Sequence, residues 1–138
     1  MDTEGLILPA TAEEAREEFE GLVPAADTVV REAAKAMAFD DEEFDRRLTT
    51  DVVATAHEAL FASLLVVRIG TAAEFEAWAG GADHEVERMG SDNVDHVVWH
   101  APPFSETAVA ATYQHERAAA VATLRRQAFG RIYREVVA

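Results

Sequence analysis

The chain has 138 residues, 49% hydrophobic and 28% charged, the make-up of one globular domain rather than a disordered segment. Twelve lysines and arginines face 26 acids, a formal net charge of −14, and cysteine is absent, which excludes disulfide scaffolds, thiol catalysis and cysteine-based zinc sites. No apolar run is long enough for a membrane span, and the acidic start Met1-Asp2-Thr3-Glu4 does not read as a secretory signal.

Thr11-Ala12-Glu13-Glu14 has the form of a capping box, with Ala15, Phe19 and Leu22 following on one face of a short helix that Gly21 and Pro24 end. Pro24 suits the start of the next helix, and Val30, Ala33, Ala34 and Met37 give residues 25–38 an apolar stripe. Asp40-Asp41-Glu42-Glu43 lacks the alternating ligand spacing and glycine of a calcium loop, so it reads as a helix start with Phe44 and Leu48 facing inward. A further helix from Asp51 through Leu60 places Val53, His57 and Leu60 on one side. A lone histidine in that setting reads as a packed residue at the edge of the core in preference to a catalytic one.

The pattern then changes. Leu64–Ile69 is a short apolar run rich in β-branched residues and predicts a central strand. Gly70 breaks it, Thr71 and Glu74 cap a helix carrying Phe75 and Trp78, and Gly80-Gly81 ends that helix. His84–Met89 and Val94–His100 predict two strands of a hairpin around Gly90-Ser91-Asp92-Asn93, stopped by Pro102 and Pro103. Residues 105–136 allow one long alanine-rich helix, but the Val, Thr and Tyr content of 107–113 favours a strand followed by a helix over 116–136. The expected fold is a single α+β domain over residues 1–138. Its helical N-terminal half packs with a small, mostly antiparallel sheet (β-α-β-β-β-α) and a C-terminal helix.

Thr71 with Glu74-Phe75-Glu76-Ala77-Trp78, Trp99-His100-Ala101 with Pro103-Phe104, Val109–Thr112 and Leu124–Arg131 together resemble an uncharacterised family of small acidic proteins of unknown function from halophilic archaea. The resemblance spans nearly the whole chain. It implies one domain and a salt-adapted host, favours the strand at 107–113, and brings no activity with it.

The cations support the same setting. Lys35 is the only lysine beside eleven arginines, and a surplus of hydrated carboxylates suits molar salt, where the Debye length falls to about 3 Å. A GC-rich genome, also suggested by the 28 alanines, would favour arginine over lysine without salt adaptation. The acids are spread along the chain, which reads as a solvated surface rather than a nucleic-acid mimic. Charge is nevertheless uneven: residues 1–69 hold six cations against 16 acids, residues 70–116 one against nine, and residues 117–138 five against one. The basic last helix is expected to dock on the acidic remainder of its own fold.

Several residues invite a chemical reading. His96 and His100 lie four apart, but on a strand that is about 13 Å, too far to share a metal. If Gly90 opposes Val94 in the hairpin, His84 faces His100 within reach of one ion. A one-residue slip pairs Glu85 with His100 instead, and no third ligand is specified. Arg125 falls inside the apolar arc of the last helix and Arg68 interrupts an apolar strand; each needs a carboxylate partner or an anion. Should they meet, with His96 or His100 beside them, they form an anion pocket. Trp99, Pro102, Pro103 and Phe104, if exposed together, form a protein-binding patch. No nucleophile elbow, P-loop or dinucleotide fingerprint is present.

The expected function is therefore a cytoplasmic, non-enzymatic interaction or regulatory module without a cofactor. Its partner is another protein or a second copy, not nucleic acid or a membrane. The alternative is a small-anion-binding protein or enzyme built on Arg68, Arg125, His96 and His100.

Overall fold

A computed structural model describes every residue except Leu48 and Asp92, so the inward position expected of Leu48 lies outside the described residues. The N-terminal helices follow their local signals. Thr11 Oγ1 accepts from Glu14 N at 3.0 Å to open α1 (Ala12–Gly21), and Pro24 stands in the first turn of α2 (Val23–Ala36). Asp40 accepts from Glu43 N at 2.8 Å ahead of α3 (Asp41–Arg47), so the acidic cluster is a helix cap. α4 (Thr50–Ser63) starts at Thr49 and packs beside α2.

The sheet has five strands: β1 (Asp2–Glu4), β2 (Val67–Thr71), β3 (Glu85–Met89), β4 (His96–His100) and β5 (Thr107–Tyr113), in the order β1-β2-β4-β5-β3. α5 (Ala72–Gly81) crosses from β2 to β3, and its capping box is complete: Thr71 accepts from Glu74 N at 3.1 Å and donates its own N–H to Glu74 at 2.9 Å. The α+β class and the strand over 107–113 are as the sequence predicts.

The hairpin is not. β5 lies between β3 and β4, antiparallel to β4 and parallel to β3, so the pairing of His84 with His100 does not form. The physical reason is composition. β4 and β5 bury Val97-Val98-Trp99-His100 and Ala108-Val109-Ala110 and take the centre, whereas Glu85, Glu87 and Arg88 suit β3 to an edge. Gly90, which reads as a hairpin turn, has φ +99°, and a Cβ there would collide with Thr112 of β5. The glycine permits close approach to the parallel neighbour. β1, a short acidic strand with no apolar alternation to announce it, pairs antiparallel with β2 and forms the other edge. The predicted strand 64–69 is displaced toward the C-terminus, because Leu64 and Leu65 close α4 with turn bonds to Phe61 and Ala62.

The two faces of the sheet hold two cores. Val67, Ile69, Val98 and Val109 face α4 and the C-terminal helix, with Phe61, Leu65, Leu124 and Phe129 among the filling. Val97, Trp99 and Ala110 face α5 through Phe75 and Trp78. Phe61 stands edge-on to Phe19 at 5.3 Å and to Tyr133 at 5.2 Å, so one ring joins α1, α4 and the C-terminus. The last helix is interrupted: α6 (Arg117–Ala128) passes into a π-helical turn, Phe129–Tyr133, before α7 (Arg134–Val137).

Candidate functional site

Where the parallel strands β3 and β5 begin, two loops meet. His84 Nε2 lies 3.0 Å from the Pro102 carbonyl, and Glu85 N donates to the Glu106 carbonyl at 2.7 Å. Between them is an open hollow of about 470 Å³ whose walls include Trp78, His84, Pro103 and Phe104, with the acids Asp83 and Glu106 also in its lining. Trp78 is held by Trp99 (5.7 Å between ring centroids) and Phe75 (5.9 Å), and Phe104 by Tyr133 (5.7 Å). Of the four residues expected to form one exposed patch, Pro103 and Phe104 line this hollow. Trp99 and Pro102 do not reach the surface: both are fully buried, because β4 turns Trp99 into the core under α5. An aromatic wall beside two carboxylates suits a cationic side chain, and a guanidinium best, since it stacks as well as pairs.

His100 has a different setting. It is 1% exposed, with Nδ1 2.5 Å from the Val66 carbonyl and Nε2 2.7 Å from the Tyr133 hydroxyl. A carbonyl only accepts, so Nδ1 carries the hydrogen and Nε2 accepts from the phenol. Burial pulls the imidazole pKa down to about 4, with the nearby Arg125 and His84 adding to the shift and the Val66 bond opposing it. The ring is thus neutral, and the Tyr133 phenol is raised by burial and by the charge of Glu18. One residue away, Arg125 Nε donates to the Leu65 carbonyl at 2.9 Å. Two consecutive carbonyls leading into β2 are pinned by β4 and by α6, and the π-turn is what delivers Tyr133 to the first of these pins.

The anion set of Arg68, Arg125, His96 and His100 does not converge as a whole: Arg125 and His100 are neighbours on consecutive carbonyls, and Arg68 and His96 lie apart from them. Arg68 opposes Trp99 in register and shares its face under α5, whereas α6 brings Arg125 to the other face. His96 is exposed at the end of β4 and stacks on Tyr113 at 5.3 Å. Among the described residues no group of three or more His, Asp or Glu is placed to hold a metal ion. His57 stacks on Phe19 at 3.8 Å and places Nε2 2.6 Å from the Phe19 carbonyl, a packed residue as the sequence suggests. Tyr133 gives no local signal because its partner His100 lies 33 residues away, and Asp83 and Glu106 are two among 26 acids until the two loops bring them to one hollow. Trp78 reads as core from its helix position and is half core, half wall.

The profile of a family of unknown function (DUF5809) matches residues 6–134. The chain belongs to that family. Neither the curated proteins nor the solved structures return a match. The DUF5809 span takes in the hollow, the His100 pin and the buried residues of both cores, and leaves outside residues 1–5, which include β1, and residues 135–138.

Proposed function

We propose that this DUF5809 protein is a non-enzymatic interaction module of a salt-rich cytosol, docking an extended, arginine-bearing segment of a partner protein along β3 and into the hollow at its start. The observation that carries the reading is the hollow itself: Pro103 and Phe104 join Trp78 and His84 at the mouth of a strand that pairs on one side only among the described residues. A sheet edge supplies backbone hydrogen bonds for an added strand, and the pocket at its end supplies side-chain selectivity. Asp83, Glu85, Glu87 and Glu106 make the locality acidic and so favour a basic segment. Arginine is preferred to lysine because stacking on Trp78 and Phe104 persists when salt screens the charge. The same acidity argues against nucleic acid as the partner, since the field repels phosphate.

The test is titration of the labelled protein, in molar KCl, with the blocked peptide Val-Arg-Val-Arg-Val and its lysine counterpart, followed by amide NMR. Shifts confined to residues 83–89 and 103–106, larger for the arginine peptide, are expected. Absent shifts, or shifts spread over the acidic surface equally for both peptides, overturn the reading.

A further inference from the structure

A second concavity lies between α4 and α6, with a volume of about 490 Å³, within the range of small-ligand sites. Its floor is made of small apolar side chains, Ala59 and Ala62 from α4 and Ala118, Val121 and Ala122 from α6. Arginines stand at both ends of the α6 stripe, Arg117 at one and Arg125 with Arg126 at the other, about 12 Å apart along the helix.

The two ends differ. Arg117 is already neutralised, by Asp2 at 3.0 Å and Glu4 at 3.2 Å. Among the described residues Arg125 bonds the Leu65 carbonyl through Nε and no other acceptor, and Arg126 bonds only Thr123 Oγ1 at 3.3 Å. On a chain with 26 acids, neither has a carboxylate within 4.0 Å among the described residues. The groove therefore has one open cationic pole, an apolar floor, and an acid-guarded far end where Glu4 lines the wall.

We infer that this groove binds a small amphiphile with a single carboxylate head and a short unbranched apolar body, the head at Arg125 and Arg126 and the body along the alanine floor toward Arg117. The charge pattern selects this occupant over an acidic helix from a partner protein. Such a helix carries carboxylates along its length and would bring one against Glu4. The guanidinium of Arg125 is pre-positioned by its bond to Leu65, so its ordering is complete before binding. Burial also lowers the Arg125 pKa, the mark of a cation part-removed from water, and Glu4 along the groove opposes that shift only in part.

The probe is decanoate, titrated calorimetrically into the full chain in molar KCl, with butyrate and decanol as the head and the body alone. Decanoate is expected to bind at least about tenfold more tightly than either. Arg126→Ala, at an exposed position, and Ala122→Trp, which fills the floor, are each expected to weaken decanoate about tenfold, with melting temperatures confirming that both variants fold. Equal affinity for decanoate in the wild type and both folded variants overturns the inference. So does a failure of decanoate to bind, or displacement of bound decanoate by an acidic helical peptide and not by other medium-chain carboxylates. None of these outcomes bears on residues 83–89, so the arginine-peptide experiment stands or falls separately.

Discussion

His100 shows how one buried side chain couples proton binding to folding. In the unfolded chain its imidazole titrates at the ordinary 6.5, and in the fold at about 4. Between those values the unfolded chain binds more protons, so stability rises with pH across the window and is lost as the pH falls from 6.5 toward 4. The loss amounts to about 3 kcal/mol. Carboxylates also titrate here, and with 26 of them the total profile is not the readout. The wild-type profile minus that of His100→Asn isolates the imidazole, and a flat difference between pH 4 and 6.5 would contradict the buried neutral ring. Tyr133→Phe removes the hydroxyl that satisfies Nε2 and is expected to cost about 1–3 kcal/mol in chemical denaturation. The sequence singles out His100 but assigns it to a ligand. Strand alternation places it inward, while its partner lies 33 residues on, where no spacing rule reaches.

At the scale of elements, what is legible is what is local. The caps at Thr11 and Thr71 and the proline at the start of α2 are decided by residues within one turn; the box at Thr71 is complete, and at Thr11 the hydroxyl caps Glu14 N while the Glu14 carboxylate accepts from Ala10 N rather than Thr11 N. Strand order is decided by which strand buries best at the centre, a comparison between distant segments, and there the hairpin reading of Gly90 fails. Gly90→Ala is expected to destabilise by about 1–3 kcal/mol, through positive φ and collision with Thr112. Gly130, in the π-turn, offers a contrast: its backbone is not left-handed, and the nearest atom to a Cβ would be Arg134 Nη1 at 3.9 Å. Gly130→Ala should therefore stabilise by about 0.5–1 kcal/mol, as alanine does elsewhere in helices. A loss in the melting experiment would mean that the π-turn depends on the glycine. The groove between α4 and α6 is written in the sequence as positions 117, 118, 121, 122, 125 and 126, a stripe along α6. It escapes notice because alanine is abundant and the opposing wall comes from another helix.

For the whole molecule, charge dominates everything outside the cores. Ion pairs such as Arg31–Asp27, Lys35–Glu32 and Arg117–Asp2 lie on the surface, and each is worth little by itself. The net −14 acts collectively: lowering the ionic strength lengthens the Debye screening from about 3 Å at 1 M to about 30 Å at 0.01 M and sets the acidic surface against itself. The melting temperature is expected to fall steadily as KCl is removed, and a flat profile would sever composition from salt adaptation.

The charges at the two sheet edges have a further effect, which symmetry exposes. Two copies joined edge to edge in a continuous sheet are related by a two-fold axis that passes through one residue position of the edge strand. Centred on Glu87 of β3, the axis sets Glu87 against Glu87; centred on Val86, Glu85 against Glu87; centred on Arg88, Arg88 against Arg88. At β1 the choices are Asp2 on Glu4, Asp2 on Asp2, or Glu4 on Glu4. Glu85→Lys gives the register on Val86 two attractive pairs, and sedimentation should then show a concentration-dependent dimer that the wild type lacks. Like charges thus oppose one another at each edge in all of these symmetric registers, so an edge that would accept the proposed basic strand would disfavour its own copy, a discrimination by parity rather than by shape.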